Sequence, residues 1–235
     1  MDSLFVVMPA YNEEETISEV VEQWYPVLNG KSEKSRLVIA DSGSEDKTHE
    51  ILLSLKSEHP QLEVLEETLK QHGPKLIALY KYAKTQGIDY VFQTDSDGQT
   101  NPAEFDAFWE RRKDYDVILG HRSDRGDGKP RAFVEHVVCF LLRLYFGVKV
   151  PDANAPYRLM KVNIVNKYLG RFTDDYNLPN IMLTTYFAHY EERLLFMKVS
   201  FKPRQGGVNS INLRKIIKIG WKALVDFYSF KKGMK

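Results

Sequence analysis

The stretch "YVFQTDSDGQTNPAEF", Tyr90–Phe105, stops a short apolar run in two aspartates one residue apart, followed by Gly98, Gln99 and Asn101-Pro102. The run predicts a buried strand. Its neighbours repeat the pattern. "LFVVMPA" (Leu4–Ala10), "RLVIAD" (Arg36–Asp41), the weaker "LEVLEE" (Leu62–Glu67) and "DVILG" (Asp116–Gly120) also read as strands. Helical signals separate them. Ile17, Val20, Val21, Trp24 and Leu28 recur at helical spacing, with Pro26 at the fraying end. Ser44 is placed to cap a helix carrying Ile51, Leu52 and Leu55. Gly73-Pro74 opens another through Leu76, Leu79 and Tyr80. Strands alternating with helices predict an α/β chain with a mainly parallel central sheet and helices on both faces. Ligands of such sheets bind outside the carboxyl ends of the strands. The polar clusters Tyr11-Asn12-Glu13, Asp41-Ser42-Gly43-Ser44 and Asp95-Ser96-Asp97 all lie at those ends and should converge on one crevice.

The second half is less regular. Gly126 to Pro130 reads as an exposed loop, followed by a helix through Val137–Phe146. "RLLFMKVSFKP" (Arg193–Pro203) reads as a strand running into the glycine-rich "RQGGVNS". Leu213 to Phe230 is an amphipathic helix, with Leu213, Ile217, Trp221, Leu224 and Tyr228 on one face and Lys215, Lys218 and Lys222 opposite. The expected organisation is one domain over residues 1–212 and a basic helical extension over 213–235. Both the 137–146 helix and this extension have the composition to lie in a bilayer interface; covering the core is the plain alternative.

With 235 residues, 43% of them hydrophobic and 12% aromatic, the chain can bury a sizeable core. Lys plus Arg (33) nearly balances Asp plus Glu (32), so no global charge drives partner choice, and no nucleic-acid partner is expected. The single cysteine, Cys139, excludes a disulfide framework, points to a reducing cytoplasmic compartment, and reads as a small core hydrophobe. The N-terminus lacks the basic region of a signal peptide. Val137–Leu142 and Leu144–Phe146, split by Arg143, fall short of the roughly 18–20 residues of a spanning helix. A soluble or membrane-surface protein is expected.

Two carboxylates at i and i+2 on a chain leaving a strand repel one another unless a cation sits between them. Mg²⁺ or Mn²⁺ is the natural partner, a hard ion that takes oxygen ligands and bridges carboxylates to a diphosphate. Gln99 adds a neutral oxygen two residues on; the competing reading is a solvated Asx turn. A calcium-binding EF-hand loop fits poorly, because its sixth position needs Gly and holds Thr100. The six histidines show no metal-ligand spacing, and only His121, beside Arg122, is expected near the crevice.

The blocks "VVMPAYNEEETI", "VIADSGSEDKT", "HGPKLIAL", "FQTDSDGQTNPAEF", "DVILGHRSDR", "VPDANAPYRLMK" and "VSFKPRQGGVNS" occur in that order. Together they resemble the family 2 glycosyltransferases, which have the GT-A fold, and within them the dolichyl- and polyprenyl-phosphate sugar transferases. The resemblance covers the chain to about residue 212. It implies that Pro9, Ala10, Tyr11 and Glu13 line a nucleoside pocket, Tyr11 near the base and Glu13 near the ribose. Asp41 would hydrogen-bond base or ribose, and Gly43 and Ser44 would turn the backbone beneath the nucleotide. Ser42 stands where the family usually has a second acid. Lys75 would reach the diphosphate, although Gly73-Pro74-Lys75-Leu76 replaces the frequent Gly-Lys-Gly. Asp95, Ser96 and Asp97 match the metal–diphosphate motif, and Gln99 matches the glutamine completing the metal site. Arg122 and Arg131 match arginines that would grip an acceptor phosphate, and Arg204 would contact diphosphate or acceptor. Asp152 reads as structural, and Ala155-Pro156-Tyr157 replaces the relatives' Ser-Gly-Phe ahead of Arg158.

The implied activity is metal-dependent, inverting transfer of a sugar from a UDP- or GDP-linked donor to a polyprenyl phosphate or other lipid-linked acceptor at the inner face of the cell membrane. The alternative acceptor is a saccharide hydroxyl in glycan assembly, which needs a carboxylate base; Asp175, with its neighbour Asp174, occupies the matching region. Two readings from other classes are disfavoured. A sugar-phosphate nucleotidyltransferase would open with a glycine-rich loop where this chain has "MPAYNEEE", and a non-catalytic sugar-binding member would have lost the metal carboxylates.

Overall fold

The computed structural model describes residues 1–125, 129–203 and 225–233, with side chains for all of these except 123–125 and 129–131. The chain runs β1 (Leu4–Ala10), α1 (Ile17–Trp24), β2 (Arg36–Asp41), α2 (Thr48–Leu55), β3 (Leu62–Leu65), α3 (His72–Thr85), β4 (Tyr90–Thr94), α4 (Phe105–Glu110), β5 (Val117–Arg125), α5 (Lys129–Phe146), β6 (Tyr157–Lys161), α6 (Val162–Leu169), α7 (Pro179–His189) and β7 (Leu194–Phe201). Residues 225–232 form a further helical stretch. The seven strands make one sheet in the order β3-β2-β1-β4-β6-β5-β7. Every pairing is parallel except those of β6, which runs antiparallel to both β4 and β5. The α/β expectation of a mainly parallel sheet with helices on both faces holds.

Fully buried strands have no polar face, so alternate residues feed two cores. Leu4, Val6 and Met8 of β1 pack with α1 and α4 residues such as Trp24 and Phe108. Phe5 and Val7 face the opposite core with Leu76 and Tyr80 of α3 and Leu183 of α7. Trp24 stacks on Phe92 at 5.3 Å, and Tyr157 meets the edge of Phe92 at 4.7 Å. Each such aromatic pair adds about 1 kcal/mol to what burial alone supplies. The departure from the family pattern at Tyr157 is thus absorbed by packing, and its hydroxyl donates to the Asn101 carbonyl at 3.0 Å.

Three local expectations are corrected. β6 reads from sequence only as part of a family block and not as a strand. Its buried position 158 holds Arg, which breaks the apolar signal. Helix α5 begins at Lys129, so Lys129 and Pro130 belong to the helix and not to a loop, Pro standing where a first turn tolerates it. Ser44 does not cap α2. Lys47 is the cap residue, and the Ser44 hydroxyl instead donates to Asp41 Oδ1 at 2.5 Å.

Helix α5 divides its faces. Leu142 and Phe146 are buried in the core, whereas Phe133, Val137, Phe140 and Leu144 are exposed. The 225–232 stretch joins the same core through Phe227, 5.7 Å from Phe146, and through Phe230, 5.2 Å from Tyr176. Residues 126–128, Arg204, the rest of the glycine-rich segment and 213–224 lie outside the described residues, as does the Arg131 side chain. No helix among the described residues is long and apolar enough to cross a membrane.

Candidate active site

The carboxyl ends of β1, β2 and β4 lie side by side, in register Ala10 with Asp41 and Val7 with Gln93. The loops that leave them are bonded to one another, which is the convergence expected of the three polar clusters. Asn12, at φ 54°, takes the left-handed conformation that Asn tolerates. Its amide donates to Ser44 Oγ (3.1 Å), and its side chain accepts from the Glu45 amide (2.8 Å). The Glu13 amide donates to Thr48 Oγ1 at 2.8 Å. Ser96 Oγ donates to the Pro9 carbonyl at 2.9 Å, and Lys75 Nζ donates to the Ala10 carbonyl. Pro9, Ala10, Glu13, Asp41, Lys75 and Ser96 are all buried beneath this floor.

Several side chains carry charge into the crevice. Lys75 is buried, and that burial pushes its pKa down to about 8. The Tyr11 ring lies 5.5 Å from Lys75 Nζ and 4.7 Å from Lys70 Nζ. Lys70 in turn pairs with Glu45 at 2.7 Å. Asp41 accepts from Ser44 and contacts His49 Nδ1 at 3.2 Å, so both its oxygens hold the turn after β2, where Gly43 sits at φ 75°.

Beyond β4, Asp95 is partly buried, and its Oδ1 lies 3.2 Å from His72 Nε2 and 3.3 Å from Gln93 Nε2. Gly98 at φ 71° turns the chain, and Asp97 Oδ1 accepts from the Gln99 amide at 3.2 Å. Gln99 is buried; its Nε2 donates to the Lys202 carbonyl (2.8 Å), while the Lys202 amide donates to the Gln99 carbonyl (2.9 Å). The chain leaving β7 toward Arg204 is therefore fastened to the aspartate loop.

Arg122, on the same side of the sheet through β5, forms a fork with Asp152: Nε to Oδ2 at 2.8 Å and Nη2 to Oδ1 at 2.9 Å. Glu135 Oε2 stands 3.5 Å from Nη2, and the Phe201 ring lies 5.2 Å from the guanidinium carbon. Asp174 and Asp175 precede α7. Asp174 pairs with Lys81, nine residues along α3 from its crevice-facing start, and Asp175 Oδ1 accepts from Thr173 Oγ1 at 2.6 Å.

A family model described as glycosyl transferase family 2 matches residues 5–169. The chain belongs to glycosyl transferase family 2. Curated relatives of this family 2 chain include the undecaprenyl-phosphate 4-deoxy-4-formamido-L-arabinose transferases of Edwardsiella ictaluri (strain 93-146), 24% identical over 216 residues, and Pseudomonas paraeruginosa, 28% identical over 172. The matches cover 91% and 72% of this chain but 64% and 50% of those proteins, so the chain spans less than two thirds of their length. Glucosyl-3-phosphoglycerate synthase from Mycobacterium tuberculosis, solved with Mn²⁺, UDP-glucose and phosphoglyceric acid, superposes with a TM-score of 0.71 at 17% identity. That match covers 100% of this chain and 81% of the synthase. Staphylococcus aureus TarS gives 0.59 at 19% identity, covering 86% and 60%. At such identities the structures establish a shared GT-A fold.

Among the described residues, no three His, Cys, Asp or Glu side chains group to hold a metal by themselves. Asp95 and Asp97, one residue apart in the loop after β4, are oxygen donors of the kind that Mg²⁺ and Mn²⁺ take beside nucleotides, where a diphosphate supplies further ligands. The residues fit such an ion. Sequence reasoning missed His72 and His49, expecting only His121 near the crevice. Both stand in the first turns of helices that follow strands, and those turns start at the carboxyl edge of a parallel sheet. Lys70, two residues before α3, was overlooked for the same reason.

Proposed function

We propose that this family 2 chain transfers a sugar from a nucleoside diphosphate donor to the phosphate of a polyprenyl-phosphate acceptor, with inversion at the anomeric carbon. The observation that carries the reading is the placement of Asp95 and Asp97 at the tip of β4, beside the floor built by Pro9, Ala10 and Lys75. The names of the two curated relatives given above, both undecaprenyl-phosphate sugar transferases, support the acceptor class.

Tyr11 and Glu13 would line the nucleoside, with Asp41 and Gly43 shaping the turn beneath it. Asp95 and Asp97, with the Gln99 side-chain oxygen, would hold Mn²⁺ or Mg²⁺ against the diphosphate, while Gln99 Nε2 ties the loop that carries them to Lys202. The ion, when bound, offsets charge building on the departing diphosphate. Lys75 adds a second positive group to that side, and Arg204 is assigned to diphosphate or acceptor. Arg122 and Arg131 are assigned to the acceptor phosphate. The fork with Asp152 fixes the orientation of Arg122 and takes up its Nε and Nη2, so an acceptor phosphate would have to share or displace that carboxylate. A phosphate nucleophile is already an anion and needs no strong base. The saccharide-hydroxyl alternative would need Asp175, and the contacts of that segment, Thr173 with Asp175 and Lys81 with Asp174, are those of a loop held beside α3. The exposed Phe133, Val137, Phe140 and Leu144 support peripheral contact of α5 with the membrane carrying the acceptor.

The test is thermal unfolding with UDP-, GDP- and other nucleotide sugars, with and without Mn²⁺. One donor should stabilise the wild type only when the ion is present, and Asp97→Ala should remove that increment. Stabilisation of equal size in the variant defeats the metal assignment.

A further inference from the structure

Beneath Asp95 the core is polar where a sheet core is normally apolar. Strand alternation and the β4–β6 register place Gln93 and Arg158 opposite one another, on the face covered by α3 and α7. Tyr80 of α3 donates to Asn180 Oδ1 at 3.0 Å, Asn180 Nδ2 donates to Gln93 Oε1 at 3.0 Å, and Gln93 Nε2 donates to Asp95 Oδ1 at 3.3 Å. Tyr80, Asn180, Gln93 and Arg158 are all buried, none more than 2% exposed. The direction of this chain is not arbitrary. A carboxylate only accepts, so Gln93 must turn its NH₂ to Asp95 and its oxygen to Asn180. That fixes the Asn180 amide, which leaves its oxygen for the Tyr80 hydroxyl. Each bond then polarises the next toward the carboxylate.

Arg158 clamps the far side. Its Nη2 donates to the Asn180 carbonyl (3.2 Å) and to Thr184 Oγ1 (2.8 Å), and its Nη1 to the Ala153 carbonyl (3.5 Å). Its buried Nε has no hydrogen-bond partner among the described residues. Burying this many polar groups costs free energy that apolar residues of the same size would not. The cost falls at one place, under the aspartate.

We propose that Tyr80, Asn180 and Gln93, clamped by Arg158, form a positioning relay that fixes the rotation of the Asp95 carboxylate so that Oδ2 is the oxygen presented to a divalent cation. The inference rests on the metal role assigned to Asp95 and Asp97. None of the four touches substrate; they act through Asp95.

Mn²⁺ binding to the full chain, followed by the loss of free-ion EPR signal in the presence of UDP and of GDP, tests the relay. Gln93→Met and Asn180→Leu should each weaken Mn²⁺ binding about tenfold, the range found when outer partners of metal ligands are removed. Tyr80→Phe, which deletes one oxygen and keeps the packing, should weaken it about two- to threefold, a smaller effect because its bond acts through two intermediaries. Because the links are in series, the Gln93→Met/Asn180→Leu pair should be no worse than Gln93→Met alone. In an Asp95→Asn background all of these effects should vanish. If the variants melt at lower temperature but bind Mn²⁺ as the wild type does, the residues are only structural and the relay is overturned. Should Gln93→Met fail to fold, Tyr80→Phe with unchanged Mn²⁺ affinity overturns it equally. Failure of the underlying metal reading looks different, because Asp97→Ala would then bind Mn²⁺ like the wild type.

Discussion

Lys75 is the residue whose setting makes the sharpest claim. Its amine is buried against the Ala10 carbonyl and its pKa is pushed down to about 8 by loss of hydration. Folding therefore shifts the amine toward its neutral form relative to the unfolded chain, although below about pH 8 the ammonium still predominates. Between about pH 8 and the ordinary lysine value, folding releases a proton, and the stability of the ligand-free protein should rise with pH across that window by as much as about 3 kcal/mol. A diphosphate prefers the ammonium, so nucleotide affinity should move the opposite way and weaken above about pH 8. Urea denaturation and nucleotide titration between pH 7 and 9.5 check both slopes, and Lys75→Met should flatten both. Asp175→Asn should change transfer to a phosphate acceptor less than twofold, and a collapse of rate with the fold intact would favour a hydroxyl acceptor. At this scale Asp95 and Asp97 were legible because an acidic pair with Gly98 interrupts an apolar run. His72 was not, because only the packing of α3 brings its ring to Asp95.

Among the elements, α3 sets the crevice wall, and its start is constrained by contact. A Cβ at Gly73 would lie 2.5 Å from the backbone of Asn177, in the segment leading into α7. Backbone cannot swing aside as a side chain can. Gly73→Ala should cost about 1–3 kcal/mol, the usual range for overpacking. It should also weaken nucleotide binding by displacing His72 and Lys75, whereas Gly87→Ala, with open space around it but a φ of 64°, should lower stability alone. Denaturation midpoints and nucleotide affinities of the two variants separate these outcomes. Strands β1, β2 and β4 could be read directly because parallel strands covered on both faces are continuous apolar runs. β6 could not, since Arg158 is buried through a pairing with Gln93 that lies 65 positions away in the chain and leaves no local signal.

Across the whole molecule the sheet has a crevice edge and a stabilising one. At the edge away from the crevice, Asp116 accepts from Arg193 Nη2 at 2.7 Å and Nε at 3.0 Å, and from Lys161 Nζ at 2.9 Å. The two cations hold its carboxyl well below the usual carboxylate range. The stability this contributes is present above the ordinary carboxylate pKa near 4 and is lost as pH falls through the depressed value. At pH 7 Asp116→Asn should cost about 1–3 kcal/mol in urea denaturation, with no effect on nucleotide binding. At the crevice edge, the family 2 assignment and the GT-A fold were legible from the ordered blocks alone. What lay beyond the sequence was how their side chains interlock, the fork of Arg122 with Asp152 and the fastening of Gln99 to Lys202. The central claim is sugar transfer to a phosphate under a divalent ion at β4. It is tested most directly by incubating the chain with a stabilising nucleotide sugar, undecaprenyl phosphate and Mn²⁺, and following label into the lipid phase. Label should appear with the wild type, fall to background on chelation, and be absent with Asp97→Ala. Undiminished transfer by Asp97→Ala, or transfer to saccharide hydroxyls with none to the lipid phosphate, would contradict the account.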